Sequence, residues 1–150
     1  MRARRPATRE VKILYVEDED PNWEVAAFGL SDQYEILRAR SASEAFALLE
    51  RHRFNIILMD IQLAGSDLDG IAITRIIKGR SLNHVPQYAH LLCPEIPIIF
   101  VTAYSALYTR EDLLAAGGDE MIGKPVDFTN LTLAISRLSL RENERAAGAK

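Results

Sequence analysis

The chain has 150 residues, the size of one ordinary domain, and its 48% hydrophobic and 26% charged residues exclude a disordered or fibrous protein. Eighteen Lys and Arg against 21 Asp and Glu leave a net charge of −3, too balanced to make nucleic acid or a membrane surface an electrostatic partner. No apolar run approaches the roughly 20 residues that span a bilayer, no Cys/His cluster offers zinc ligands, and the single Cys93 cannot close an internal disulfide, so a soluble cytoplasmic domain is expected.

Residues 1–10 carry Arg2, Arg4, Arg5 and Arg9 with no apolar stretch or cleavage signal behind them, which reads as a flexible basic N-terminus. Val11 to Val16 (VKILYV) is the first predicted strand, ending in Glu17-Asp18-Glu19-Asp20. Asp20 before Pro21 predicts a helix cap, and Trp23, Ala26, Ala27 and Leu30 make one apolar helix face. Tyr34 to Ala39 is a weaker strand, and Ser43 is expected to cap a helix with Ala45, Leu48 and Leu49 inward. Asn55 to Asp60 (NIILMD) runs apolar without alternation, as a parallel strand covered on both faces does. The loop Gln62 to Gly70 leads to a helix with Ile73, Ile76 and Ile77 on one side. Gly79 to Glu95, with Pro86 and Pro94, is longer than most connections and reads as an ordered insertion or a mobile loop, with Tyr88, Leu91 and Leu92 expected to cover the sheet edge rather than form a partner groove. Ile96 to Ala103 is the fourth strand, and a helix over Ser105 to Ala116 is closed by Gly117-Gly118. Glu120 to Gly123 is a short fifth strand before Lys124-Pro125. Asp127 caps a last helix with Leu131, Ala134, Ile135 and Leu138 inward, and residues 141–150 form a polar tail expected to fray.

Five strands alternating with five helices predict a doubly wound α/β fold, a parallel sheet with helices on both faces. Ligands in such sheets sit beyond the carboxyl ends of the strands, where the strand order reverses. Reading only strand ends selects Glu17, Asp18, Asp60, Thr102 and Lys124. Carboxylates about 4 Å apart repel by roughly 4 kcal/mol near a surface, so the set calls for a cation or raised pKa values. All-oxygen ligands suit Mg²⁺ or Mn²⁺ rather than zinc or copper. A carboxylate beside such a metal can attack phosphorus, with an ammonium and a hydroxyl steadying the transferring group.

The acidic pair in LYVEDED, Asp60 in ILMDIQL, Thr102-Ala103 in IIFVTA and Lys124-Pro125, each at a strand end, resemble the CheY-like receiver domain of two-component response regulators. Lys124 follows Thr102 by 22 residues, as in familiar receivers, and the likeness covers Val11 to Leu138 within a domain taken as 11–140. The resemblance implies the flavodoxin-like strand order 2-1-3-4-5, with Asp60 as phosphoacceptor. Mg²⁺ (or Mn²⁺) would be held by Asp18, Asp60 and the backbone carbonyl of Gln62, and by Glu17 through water. Thr102 would be the switch hydroxyl and Lys124 the phosphoryl partner, while Gln62 and Tyr104 would tune dephosphorylation. It further implies a cytoplasmic signalling phosphoacceptor with slow self-dephosphorylation, not an enzyme. Its partners would be a sensor histidine kinase or histidine phosphotransfer protein and a downstream protein target, met on the face of the fourth helix, fifth strand and fifth helix.

The sequence departs from the family at Ala64, where proline is usual, at Asp69-Gly70, which comes two residues late, and at Met121, in place of an aromatic switch residue. Either Tyr104 or Tyr108 supplies the missing ring, or the conformational readout is altered. The reading is a stand-alone receiver without an output domain. An unphosphorylated pseudo-receiver acting as an interaction module is the alternative. An aspartyl-phosphate hydrolase would need an aspartate where Gln62 stands, and a flavodoxin-like cofactor binder would need a phosphate loop after the first strand.

Overall fold

Five apolar segments pair in parallel as β1 (Lys12–Val16), β2 (Glu35–Ala39), β3 (Ile56–Met59), β4 (Ile98–Thr102) and β5 (Glu120–Gly123), in the order β2-β1-β3-β4-β5. The helices are α1 (Asp20–Leu30), α2 (Ala42–Arg51), α3 (Gly70–Lys78), α4 (Arg110–Ala116) and α5 (Phe128–Gly148). The structure, a computed structural model, describes residues 11–80, 86–103 and 108–148. This is the expected doubly wound sheet.

Side chains alternate across the strands, so β1 feeds two cores. Leu14 and Val16 join Ile57, Met59, Ile98 and Phe100 under α2, α3 and α4. Ile13 and Tyr15 join Ile56, Leu58, Ile99 and Val101 under α1 and α5. Because both faces are covered, β3 and β4 are buried at every position, which is why they read as unbroken apolar runs. The chain winds from β1 to β2 on one side and then returns to β3 on the other, so β1 and β3 flank the point of reversal.

Helix starts differ from the sequence reading at three places. Glu19, not Asp20, is the residue before α1, and no side chain caps it; Asp20 instead pairs with Arg38 at 2.7 Å. Ser41, not Ser43, caps α2 by accepting from the Glu44 N–H, and Ser43 is an exposed residue of that helix. The helix expected over Ser105 to Ala116 begins, among the described residues, at Arg110, Ser105 itself lying outside them; it starts behind Thr109, whose hydroxyl accepts the Asp112 N–H while Asp112 accepts the Thr109 N–H. The Asp127 cap is as expected, accepting from the Thr129 and Asn130 N–H groups. The frayed tail is a further correction, since α5 continues past Arg141 to Gly148. Residues 1–10 lie outside the described residues, and among those described no helix is long and apolar enough to cross a membrane.

The insertion covers a helix rather than the sheet edge. A short 3₁₀ helix, Pro86–Leu91, lays Tyr88 on Phe46 of α2 with ring centres 4.2 Å apart, and Leu91 is buried in the same core. The Cys93 N–H donates to the Ile77 carbonyl at the end of α3, and His90 pairs with Glu50 at 2.8 Å. Stacked aromatics in a half-buried setting contribute about 1 kcal/mol beyond their burial. Tyr88→Ala is expected to destabilise the fold by about 1–2 kcal/mol in urea unfolding, and an unchanged midpoint would show the insertion to be energetically separate.

Candidate functional site

The ladder itself sets the site. The Glu17 N–H donates to the Ala39 carbonyl and the Asp60 N–H to the Val16 carbonyl, so both residues stand one step past the paired ends of β1 and β3. Lys124 arrives from β5, its N–H held by the Thr102 carbonyl at 2.9 Å and its peptide bond to Pro125 cis. Gly70 lets the loop after β3 fold back, because a Cβ there would lie 2.0 Å from the Asp60 carbonyl oxygen.

At that edge the Lys124 ammonium lies 2.6 Å from Glu17 Oε1 and 3.2 Å from Asp60 Oδ2. Glu17 is fully buried, and its carboxylate also accepts from the Tyr15 hydroxyl at 3.1 Å and the Glu19 N–H at 3.2 Å. Asp18, half-buried, accepts the Ala64 N–H at 2.9 Å, which ties the loops after β1 and β3 together. One carboxylate oxygen from each of Glu17, Asp18 and Asp60 lies within 4.8 Å of the others. A cavity of about 190 Å³ opens beside Asp18 and Asp60, lined also by Glu19, Asn22, Gln62, Ala64, Ala103 and Lys124.

Burial, then the neighbouring Glu17 charge, pushes Asp60 up to about 7 against the pull of Lys124. Burial acts on Glu17 in the same direction, but hydrogen bonds from Lys124 and Asp60, the ammonium charge and the Glu19 N–H outweigh it and hold Glu17 below the usual range. Burial lowers Lys124, and its two carboxylate partners more than reverse that, so it stays charged. Burial foremost, reinforced by Glu17, raises the Tyr15 phenol, which remains a donor. One ammonium therefore serves two buried carboxylates, and a third stands open to the cavity. A hard divalent cation fits this donor set, because three carboxylates bring oxygen donors close together and two of them, Asp18 and Asp60, line a pocket wide enough for water.

The other strand-end candidates fall around this centre. Thr102 is fully buried at the end of β4, and Gln62 lines the cavity. Met121 is half-buried opposite Phe100 and packs into the core beneath α2, α3 and α4, where Tyr108 also lies. Tyr104 lies outside the described residues. Sequence reading missed Tyr15 and the Ala64 N–H. Tyr15 was recoverable, because residues two apart on a strand share a face. The Ala64 contact carried no sequence signal. The longer loop before Gly70 is pinned by Ser66, whose hydroxyl accepts the Ala42 N–H and donates to the Leu68 carbonyl.

A five-stranded sheet in this order, wrapped by helices and carrying its polar cluster where the order reverses, defines a flavodoxin-like receiver fold. The profile of the response regulator receiver domain matches residues 13–136, and the chain belongs to that family. It is 30% identical over 128 residues to the transcriptional regulatory protein ZraR of Escherichia coli (strain K12), covering 85% of this chain and 26% of that protein. It is also 30% identical over 150 residues to probable histidine kinase 1 of Oryza sativa subsp. indica, covering 84% and 15% respectively. The chain thus spans about a quarter or less of these relatives. Among solved structures it superposes on the receiver domain of NtrX from Brucella abortus with TM-score 0.71 at 28% identity, covering 85% of this chain and 97% of that one. A response regulator receiver domain protein (CheY-like) from Methanospirillum hungatei JF-1 gives 0.71 at 26% identity, covering 90% and 98%.

Proposed function

We propose that this receiver accepts a phosphoryl group on Asp60 from a phosphohistidine and signals through a protein contact rather than as an enzyme. The observation that carries the reading is the Lys124 ammonium held between Glu17 and Asp60 with Asp18 beside them. An Asp60 carboxylate oxygen attacks phosphorus, the phosphorus–nitrogen bond of the donor breaks, and the imidazole leaves with that electron pair. Lys124 is already within reach of Asp60 Oδ2 and meets a phosphoryl oxygen; Thr102 supplies the switch hydroxyl from β4.

Asp18, Asp60 and the Gln62 carbonyl would hold Mg²⁺ or Mn²⁺. Glu17, saturated by Lys124, Tyr15 and the Glu19 N–H, contributes through water. When bound, the ion neutralises charge on the transferring group. Gln62, on the cavity wall, and Tyr104 tune loss of the phosphoryl group. Met121 replaces a swinging aromatic with a flexible thioether, so readout on the face of α4, β5 and α5 rests on Thr102 and on Tyr108 in the same core. The donor is a sensor histidine kinase or a histidine phosphotransfer protein, and the receiver of the signal is a protein.

With Mg²⁺ and acetyl phosphate the chain is expected to gain one alkali-labile phosphoryl group by intact mass, and Asp60→Asn to gain none. Asp18→Ala should weaken Mg²⁺ binding at least tenfold, and Glu19→Ala less than about threefold. Wild type that gains no phosphate from acetyl phosphate or a cognate kinase would return the chain to the interaction-module reading.

A further inference from the structure

We propose that Arg38 is a positioning residue that holds the acidic turn after β1 in its cation-binding shape, a proposal that rests on the reading of that turn as a metal site. Arg38 lies on β2 in register with Tyr15, and its side chain is only 10% exposed. Nε donates to the Glu17 carbonyl at 2.9 Å, Nη1 donates to Asp20 Oδ1 at 2.7 Å, and the guanidinium stands 5.9 Å from the centre of the Trp23 ring. These three attachments span Glu17 to Trp23, so one rigid plane fixes both ends of the turn that carries Asp18.

Stability alone is a poor account of this residue. Asp20 is 60% exposed, where an ion pair is screened and weak. Among the described residues Nη2 is buried without a hydrogen-bond partner, which offsets part of what this side chain adds to stability. The bond to the Glu17 carbonyl is different, since it acts on the backbone one residue before Asp18. Only a planar fork reaches that carbonyl and the Asp20 carboxylate together; a lysine ammonium is a single point on a flexible stem. Arg40 is the natural control, because its guanidinium lies 3.6 Å from Asp20, is 58% exposed and makes no described bond to the turn backbone.

The sign of the effect separates positioning from charge. Removing a cation beside an acidic site tightens Mg²⁺ binding by Coulomb's law, whereas losing the shape of the turn weakens it. Calorimetric titration of Mg²⁺ into the whole chain, with urea unfolding in parallel, tests this in wild type, Arg38→Met, Arg38→Lys and Arg40→Met. Both Arg38 variants are expected to bind roughly tenfold more weakly, and Arg40→Met as tightly as wild type or more so. Unchanged or tighter binding by Arg38→Met overturns the proposal, even if its stability falls. Should Arg38→Met not fold, Arg38→Lys decides by the same criterion. Wild type without saturable Mg²⁺ binding overturns the metal reading itself, a result distinct from equal binding across the set.

Discussion

Asp60→Asn is expected to make the metal-free protein more stable above pH 7 while abolishing phosphoryl acceptance. Asp60 sits at about 7 in the folded chain, against an ordinary 3.8. The folded state therefore keeps a proton that the unfolded chain gives up near pH 4. Stability linked to Asp60 is complete below about pH 4, falls as pH rises, and is lost once the pH has passed through 7. A rise of that size sets a ceiling of about 4 kcal/mol. The variant also takes one carboxylate from Lys124, which still keeps Glu17, and the net gain expected at pH 8 is about 2 kcal/mol. Urea unfolding at pH 8 and pH 5 measures it: the gap between variant and wild type should be large at pH 8 and shrink at pH 5. Mg²⁺ at pH 8 should stabilise wild type more than the variant and narrow the gap. A variant no more stable than wild type at pH 8 would mean that Asp60 is ionised there at little cost.

The parts of this protein that were legible in its sequence are those fixed by burial on two sides. NIILMD and IPIIFVTA read as covered strands, and taking the residues at strand ends gave Asp60 and Lys124 together with the other candidates. The strand order followed from a resemblance, not from the pattern. Helix starts were less legible, because Ser41 and Ser43 offer equivalent hydroxyls. The choice rests on which one leaves its N–H groups unpaired, although Glu44 three residues after Ser41 was a usable sign. Asp20 failed as a cap for a tertiary reason: Arg38 on the neighbouring strand and Arg40 just past its end claim its carboxylate. Arg38 and the Ala64 N–H acquire their roles only through β1–β2 register and the path of the loop after β3, which local periodicity does not encode. The insertion was legible as extra length, but its stacking of Tyr88 on Phe46 joins residues 42 positions apart, beyond any local signal.

Gly70→Ala is expected to damage both fold and site, and it tests how the loop after β3 reaches Asp60. The loop here delivers Asp69-Gly70 later than the family pattern, yet Asp69 still caps α3 by accepting the Ala72 N–H at 2.8 Å, and the Gly70 N–H still donates to the Ile61 carbonyl at 2.8 Å. Those two bonds press the Gly70 backbone against β3. A methyl group would lie 2.0 Å from the Asp60 carbonyl oxygen and 2.9 Å from a Met59 side-chain carbon. The Met59 contact can yield by rotation; the carbonyl cannot, because it belongs to the backbone peptide that follows Asp60. Relief requires α3 to withdraw, with loss of the Ile61 bond, or Asp60 to shift from Lys124. Overpacking against rigid backbone places the cost at about 3 kcal/mol or more. Urea unfolding should show that loss, and Mg²⁺ affinity of the folded fraction should fall with it. If stability drops while Mg²⁺ binding and phosphoryl acceptance stay at wild-type levels, the helix has withdrawn and left the carboxylates in place. A neutral substitution on both measurements would mean that the loop does not pass this close to Asp60.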